Sequence, residues 1–347
     1  MKLNSKSVIS NQNGFTLVEI MIGMVIGMLA TLVIVQVLSV FEGQKRSTTG
    51  NSDAQTNGQI ALYNIGRELQ LAGFPLMPTG LPNVADSPLE CTTLTFGSTG
   101  ISSIDPVTIT NGTSSDTLTL RYGDSAMGGV PSAISAAPVG NVLTLNSNFG
   151  CQVNDISFIT NGTTCAMAKV TAVSSAALKA VTLDNITAAV AGANLSCLGV
   201  WNTITYDVSG GVLQRNAVDS VAGIVDLQAQ YGISDSANSN QVTQWVDPTG
   251  TWTPASLAAS PVNRNRIKAI RIAIIARNTK METSAVTTSC SSTTAASPTG
   301  LCAWAGTSTS PAPTIDLTAD SNWAKYRYRV YETIIPLRNM IWSKDTL

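Results

Sequence analysis

From Ile20 to Phe41 the chain has no charged residue, and these 22 consecutive positions constrain the fold more than any other feature. At a rise of about 1.5 Å per residue, a helix of that length spans the hydrocarbon core of a bilayer. Lys2 and Lys6 precede the run, which by the positive-inside rule keeps its N-terminus on the cytoplasmic side. One carboxylate, Glu19, stands just inside the apolar part. A carboxylate in a membrane helix is costly, about 2.5–3.5 kcal/mol at mid-bilayer and less toward the interface, so this one calls for a role.

A cleaved secretory signal has a shorter apolar core closed by an A-x-A site. No such site closes this run, and the chain continues through Gln44-Lys45-Arg46. A plain signal anchor accounts for length and flanks but leaves Glu19 without a function. The segment Gly14-Phe15-Thr16-Leu17-Val18-Glu19, set against the membrane-length run, resembles a prepilin leader junction. The resemblance implies a leader over residues 1–14, cut between Gly14 and Phe15 by a prepilin peptidase. It also implies N-methylation of Phe15. The cut would free an amine on Phe15, four residues from Glu19 and on the same helical face. In apolar surroundings that carboxylate can neutralise its own amine or a neighbouring subunit's, far more strongly than in water. In the families concerned this glutamate guides subunit register.

The rest of the chain reads as an exported head. Hydrophobic residues make up 44% of the sequence and charged residues only 12%, with a net charge of −1 that gives no footprint for nucleic acid. All six cysteines, Cys91, Cys151, Cys165, Cys197, Cys290 and Cys302, follow the membrane run. Their even number and position beyond the membrane favour disulfides, and the lack of histidine and of C-x-x-C pairs argues against a metal centre. Sequence leaves the pairing open; the short separations suggest Cys151–Cys165 and Cys290–Cys302, with Cys91–Cys197 as the long staple.

Within the run, Gly23, Gly27 and Thr31 form a row of small residues that suits close helix packing. Beyond Phe41 the chain stays helix-compatible. Ile60, Leu62, Ile65 and Leu69, with Tyr63 and Ala72, leave one apolar stripe, and Gly73 followed by Pro75 ends it. One helix from 15 to 73 is expected, its membrane part at about 17–41, weakened at Gly43, Gly50 and Gly58 where it could kink. The segment 74–347 is expected to be β-rich. Alternation marks strands at 117–122, 141–145 and 156–159, and further short ones within 166–191. Thr203–Val208 and Val212–Arg215 around Gly210-Gly211 read as a hairpin, 224–231 as a strand, and 266–277 as a β-branched central strand. A polar loop is expected from 234 to 261, and a Ser/Thr/Ala/Pro insertion from 279 to 318.

Several of these segments resemble PilW-type minor pilins: the helix end 58–74 with Arg67-Glu68 and Ala72-Gly73-Phe74, the hairpin 205–215, the strand 225–232, and the terminal segment 329–339. Gly66 departs from the aliphatic row of the first. The resemblance implies a type IV pilin-like α+β fold, a long N-terminal helix packed on a β-rich head. It implies a non-enzymatic subunit without cofactor, inserted in the inner membrane with a periplasmic head and then incorporated into a pilus. Its partners would be other minor pilins, the major pilin, the prepilin peptidase and the inner-membrane assembly platform, and it would prime assembly from the tip. A GspJ-like pseudopilin of a type II secretion system and a pilus-tip adhesin are the rival readings.

Enzyme chemistry finds little support. Histidine, the commonest general base, is missing, as are the phosphate-binding and nucleophile-elbow motifs. Asp235-Ser-Ala-Asn-Ser-Asn240 begins like a calcium loop but lacks the central glycine and closing glutamate, so it reads as a polar loop. Trp245, Trp252, Trp304 and Trp323 read first as core anchors and second as a contact surface. Replacing Gly14 with leucine is expected to leave the uncut precursor in the membrane; an immunoblot showing the wild-type mature size would overturn the leader assignment.

Overall fold

A computed structural model describes residues 14–76, 88–91 and 93–340. Most of the expected leader and the terminal residues 341–347 therefore lie outside the described residues. The chain forms two compact units, residues 1–50 and 51–347.

The first unit contributes one helix that begins at Leu17, and helical geometry continues without interruption to Leu69, 53 residues in all. Helical hydrogen bonding is not broken at Gly43, Gly50 or Gly58, where the sequence suggested a weak point. From Leu17 to Phe41 every side chain is exposed, and the helix contains a window apolar and long enough to cross a membrane.

In the second unit, Ala54, Ala61, Ile65 and Leu69 form the buried stripe of the helix. The stripe lies in the main core with Ile270, Ile272 and Ile274 of the central strand Ile267–Arg277. Gly58 belongs to the same face, and a Cβ there would lie 2.3 Å from the ring of Tyr331. The glycine that looked like a weakness is a close approach of helix and sheet. The helix ends through a turn at 70–75 that includes Gly73 at φ +79°, the left-handed cap that glycine adopts without penalty.

Three antiparallel-dominated sheets make the head. The four-stranded sheet is ordered Gln244–Val246, Ile224–Ile233, Ile267–Arg277, Tyr328–Pro336. Side chains alternate across it. The face of Leu227, Ala229, Tyr231, Ile270, Ile272 and Ile274 belongs to the main core, and the opposite face of Ala273, Ile275 and Val330 packs with Leu301, Trp304, Ala312 and Leu317. The 279–318 insertion is thus a cover over the second face of the sheet. It contains no named strand among the described residues and is tied at its base by Cys290–Cys302.

A five-stranded sheet holds the expected hairpin, Asn202–Ser209 and Val212–Arg215, turned by Gly210 and Gly211 at φ +59° and +80°. Both glycines occupy the positive-φ region that a tight two-residue turn demands. The seven-stranded sheet, most of whose strands fall in sequence between Thr117–Tyr122 and Asn202–Ser209 of the five-stranded one, includes Ile156–Thr160, Thr164–Val173 and Asn194–Cys197.

Two of the three suggested disulfide pairs are corrected. The bonds are Cys91–Cys165, Cys151–Cys197 and Cys290–Cys302. Ile156–Thr160 and Thr164–Val173 form a hairpin with Cys165 at its turn end, opposite Thr160, whereas residue 151 lies beyond its other end. Parallel pairing of Leu94 with Cys165 brings Cys91 beside it instead, and the pairing of Ser157 with Cys197 brings Cys197 toward Cys151. Proximity in sequence misled because the hairpin carries Cys165 away from Cys151.

The loop expected over 234–261 contains the short strand Gln244–Val246 and the helix Pro254–Ala259, and a second helix, Pro261–Arg266, begins where it ends. Each helix has a hydroxyl cap, Thr253 or Ser260, followed by proline at the first helical position. The Thr-Pro and Ser-Pro steps were the legible signal for them. Gly58→Ala tests the helix–sheet approach. Alanine normally stabilises a helix by up to about 1 kcal/mol relative to glycine. Here overpacking against Tyr331 reverses the sign, to a loss of about 1–3 kcal/mol in chemical denaturation.

Candidate functional site at the N-terminal segment

Gly14, Phe15 and Thr16 precede the helix and are exposed, so the expected Gly14–Phe15 cleavage bond lies outside helical geometry. Thr16 is the cap. Its N–H and its hydroxyl donate to one Glu19 carboxylate oxygen at 2.8 and 2.9 Å, and the Glu19 N–H donates back to the Thr16 hydroxyl at 3.3 Å. This reciprocal capping box satisfies donors that the first helical turn would otherwise leave unpaired. The negative group also stands at the positive end of the helix dipole. The T-x-x-E spacing that signals such a box is present at 16–19 and was not read as one from the sequence.

Farther along, a Cβ at Gly23 or Gly27 would meet nothing within 4 Å, so among the described residues this glycine face has no neighbour. Thr31, third in the small row, turns its hydroxyl back to the Met28 carbonyl at 2.8 Å.

In the head the structure brings together groups that the sequence did not connect. Glu68, the next-to-last residue of the helix, accepts from Arg215 Nε at 3.0 Å and Nη2 at 2.8 Å, and from the Tyr206 hydroxyl at 2.8 Å. The hydrogen bond to Glu68 holds the Arg215 guanidinium above its ordinary value, and burial drives the Tyr206 hydroxyl upward.

A second carboxylate group lies where the turn after Val107–Thr110 meets the edge of Ile224–Ile233. Asp116 accepts the Ala229 N–H at 2.8 Å while its own N–H donates to the Leu227 carbonyl at 2.8 Å, and Ser115 Oγ accepts the Leu227 N–H at 3.0 Å. Two side chains thereby take the place of a neighbouring strand. Beside them, Asp226 is fully buried; one oxygen accepts from Gln228 Nε2 at 3.0 Å and the other has no hydrogen-bond partner. Burial pushes Asp226 up to about 8 and Asp116 to about 6.

The segment 235–240, read as a polar loop, is followed by Thr243, whose Oγ1 donates to Asp235 at 2.6 Å. No cluster of three or more acidic, histidine or cysteine ligands occurs among the described residues. Of the tryptophans, Trp304 is buried with Arg271 stacked 4.4 Å above it, and Trp252 carries Arg266 at 5.2 Å.

Comparison with known proteins matches this architecture at both ends. Residues 9–35 match the prokaryotic N-terminal methylation motif. Residues 204–339 match the family described as Type IV pilus-assembly protein W, a span that includes the Arg215 hairpin and the four-stranded sheet. A type IV-like pilin from Thermus thermophilus is a similar solved structure, at 9% identity, covering 82% of this chain and 97% of that one with a TM-score of 0.35. No curated protein matches the chain. An apolar N-terminal helix bearing the methylation motif, continuous with a β-rich head, defines a type IV pilin-like protein. Within that class, residues 204–339 match the family described as Type IV pilus-assembly protein W, so the chain carries a PilW domain behind a pilin-type N-terminus.

The buried acids give a pH prediction. Asp226 and Asp116 have folded-state values above the ordinary 3.8, so the folded chain holds protons that the unfolded chain releases. Stability contributed by Asp226 is therefore present at low pH and is lost as pH rises from about 4 toward 8. The slope for one group is at most about 1.4 kcal/mol per pH unit. Asp226→Asn is expected to flatten this decline and raise the thermal midpoint at pH 8, as followed by circular dichroism.

Proposed function

We propose that the chain is a minor pilin, made as a single-pass inner-membrane precursor with its head on the periplasmic side. A prepilin peptidase would cut it between Gly14 and Phe15 and methylate the new Phe15 amine. The mature subunit, with other minor pilins, would prime the major-pilin fibre on the inner-membrane platform and remain at or near its tip. The observation that carries this reading is the methylation motif at 9–35 on the same chain as the PilW domain at 204–339.

The capping box supports a mechanism for Glu19. Thr16 holds the carboxylate at the first turn of the helix, close in sequence to the amine that cleavage would create at Phe15. Only one of its two oxygens is engaged by Thr16. The other is available to an amine, and in an apolar filament core that pairing would set the axial register of the helix against its neighbour. Gly23 and Gly27, whose face has no contact among the described residues, would let a neighbouring helix approach closely.

N-terminal sequencing and mass analysis of the mature protein test the reading. N-methylated phenylalanine at position 15 is the expected first residue, and an intact Met1 terminus in assembled pili would overturn it. Glu19→Ala is expected to be processed normally while its recovery in sheared pili drops at least about tenfold, the effect of losing roughly 1.4 kcal/mol of pairing energy.

A further inference from the structure

The two long edges of the four-stranded sheet are treated differently. At Ile224–Ile233 the outward backbone groups at Leu227 and Ala229 are taken up by Ser115 and Asp116. Tyr328–Pro336, on the opposite edge, has no such cover among the described residues.

The register identifies which of its groups are open. Leu337 donates its N–H to the Lys268 carbonyl at 2.9 Å, and Asn278 donates to the Arg327 carbonyl at 2.9 Å. Both pairs extend the Ile267–Arg277 ladder, in which Ile270 faces Ile335 and Ile272 faces Thr333. In an antiparallel ladder hydrogen-bonded and open pairs alternate. Tyr331, Thr333 and Ile335 therefore bond inward to the central strand, whereas Tyr328, Val330, Glu332 and Ile334 direct N–H and carbonyl outward. The outward groups have no hydrogen-bond partner among the described residues. Pro336 has the outward parity too, where a missing N–H costs the sheet nothing.

Beside this edge runs a groove of about 430 Å³, walled by the helix flank Gln59, Leu62, Tyr63, Gly66 and Arg67 and by Thr333 and Ile335 of the strand. Gly66, the residue out of place in the aliphatic row, keeps the wall low: a Cβ there would touch only Ile335 at 3.5 Å. Tyr63, which lines the groove, is 67% exposed, and Ile334, on the opposite face of the same edge strand, is 52% exposed, so apolar surface is left in water on both sides of the edge. Arg67 is exposed at the groove and makes no ion pair among the described residues.

We propose that the Tyr328–Pro336 edge and this groove bind an extended segment of a neighbouring pilin subunit by strand addition. This rests on the pilus-assembly reading above. The backbone edge selects an extended chain, because only a strand can satisfy four outward N–H and carbonyl groups at successive two-residue steps. The groove selects apolar side chains at alternate positions of that strand, and Arg67 selects a carboxylate at its helix side. Long open edges are normally blocked by charge, proline or a covering loop. Here the opposite edge has such a cover, and this one has a shaped apolar cleft.

Residue-resolved amide hydrogen exchange on the full-length chain tests this, comparing detergent-extracted precursor with sheared pili captured through the same chain. In the precursor the amides of Val330, Glu332 and Ile334 are expected to exchange fast while those of Tyr331, Thr333 and Ile335 are protected. In pili the first set is expected to slow by about a hundredfold. Ile334→Pro, which removes an outward N–H alone, is expected to reduce recovery in pili at least tenfold while leaving the precursor's thermal midpoint within a few degrees. Fast exchange of Val330, Glu332 and Ile334 in pili would overturn the strand-addition proposal and leave the pilus reading standing. Protection already present in the isolated precursor would also overturn it, since the chain would then fill its own edge. Absence of the wild-type chain from pili would overturn the functional reading instead.

Discussion

The hydrogen bonds to Glu68 are the joint on which the head is organised. The helix must end against a sheet assembled from residues more than a hundred positions away, and an apolar stripe alone specifies its register loosely. Glu68 offers one oxygen to Arg215 and the other to Tyr206, both from the same hairpin. Hydrogen bonds to a charged group contribute about 1.5–3 kcal/mol when shielded. Arg215 is partly exposed, so the value here lies at or below the lower end. The geometric effect matters more, because sliding the helix by one residue would turn the carboxylate away from both donors. Arg215 and Tyr206 lie within the PilW domain and Glu68 lies before it. The interaction therefore ties that domain to the helix that leads into it.

With the helix end fixed, the four-stranded sheet becomes a two-sided layer. Its even-numbered central-strand isoleucines face the helix core, and Ala273 and Ile275 face the insertion. A strand buried on both faces carries apolar residues on both, and in 267–277 five isoleucines and three alanines do so. Low sequence complexity in 279–318 is compatible with this cover. Small residues let the chain lie close to the sheet, and Trp304 with Arg271 above it supplies the bulk. The same layering isolates Asp226, which the sheet and the docked turn remove from water together with Asp116. Carboxyls placed that way favour their protonated forms and act as pH-dependent elements of the head.

Local signals in this chain were legible wherever a short stretch sets its own geometry. The Gly210-Gly211 hairpin, the 267–277 strand and the Gly73 helix stop all follow from φ preferences, branching or missing backbone donors within a few residues. The Thr253-Pro254 and Ser260-Pro261 caps belong with them and were passed over inside a polar stretch. The disulfide pairing was of the other kind: Cys151 and Cys165 are close in sequence, yet the hairpin between them carries them apart. Gly58 was misjudged for a related reason. Propensity treats a helical glycine as a weakness, and the gain from bringing Tyr331 close appears only when the sheet is in place.

The sequence by itself determined the uncharged run from Ile20 to Phe41, the Gly14–Glu19 junction before it, and the alternation that makes the head β-rich. These are properties of contiguous residues, in which period, charge and length act locally. Tertiary structure alone decided that Glu68 meets Arg215 and Tyr206, that Cys91 pairs with Cys165, and that one edge of the central sheet is covered while Tyr328–Pro336 stays open. Each depends on contacts between residues tens to hundreds of positions apart. Their partners are chosen by strand order and register, which no single stretch of the chain encodes.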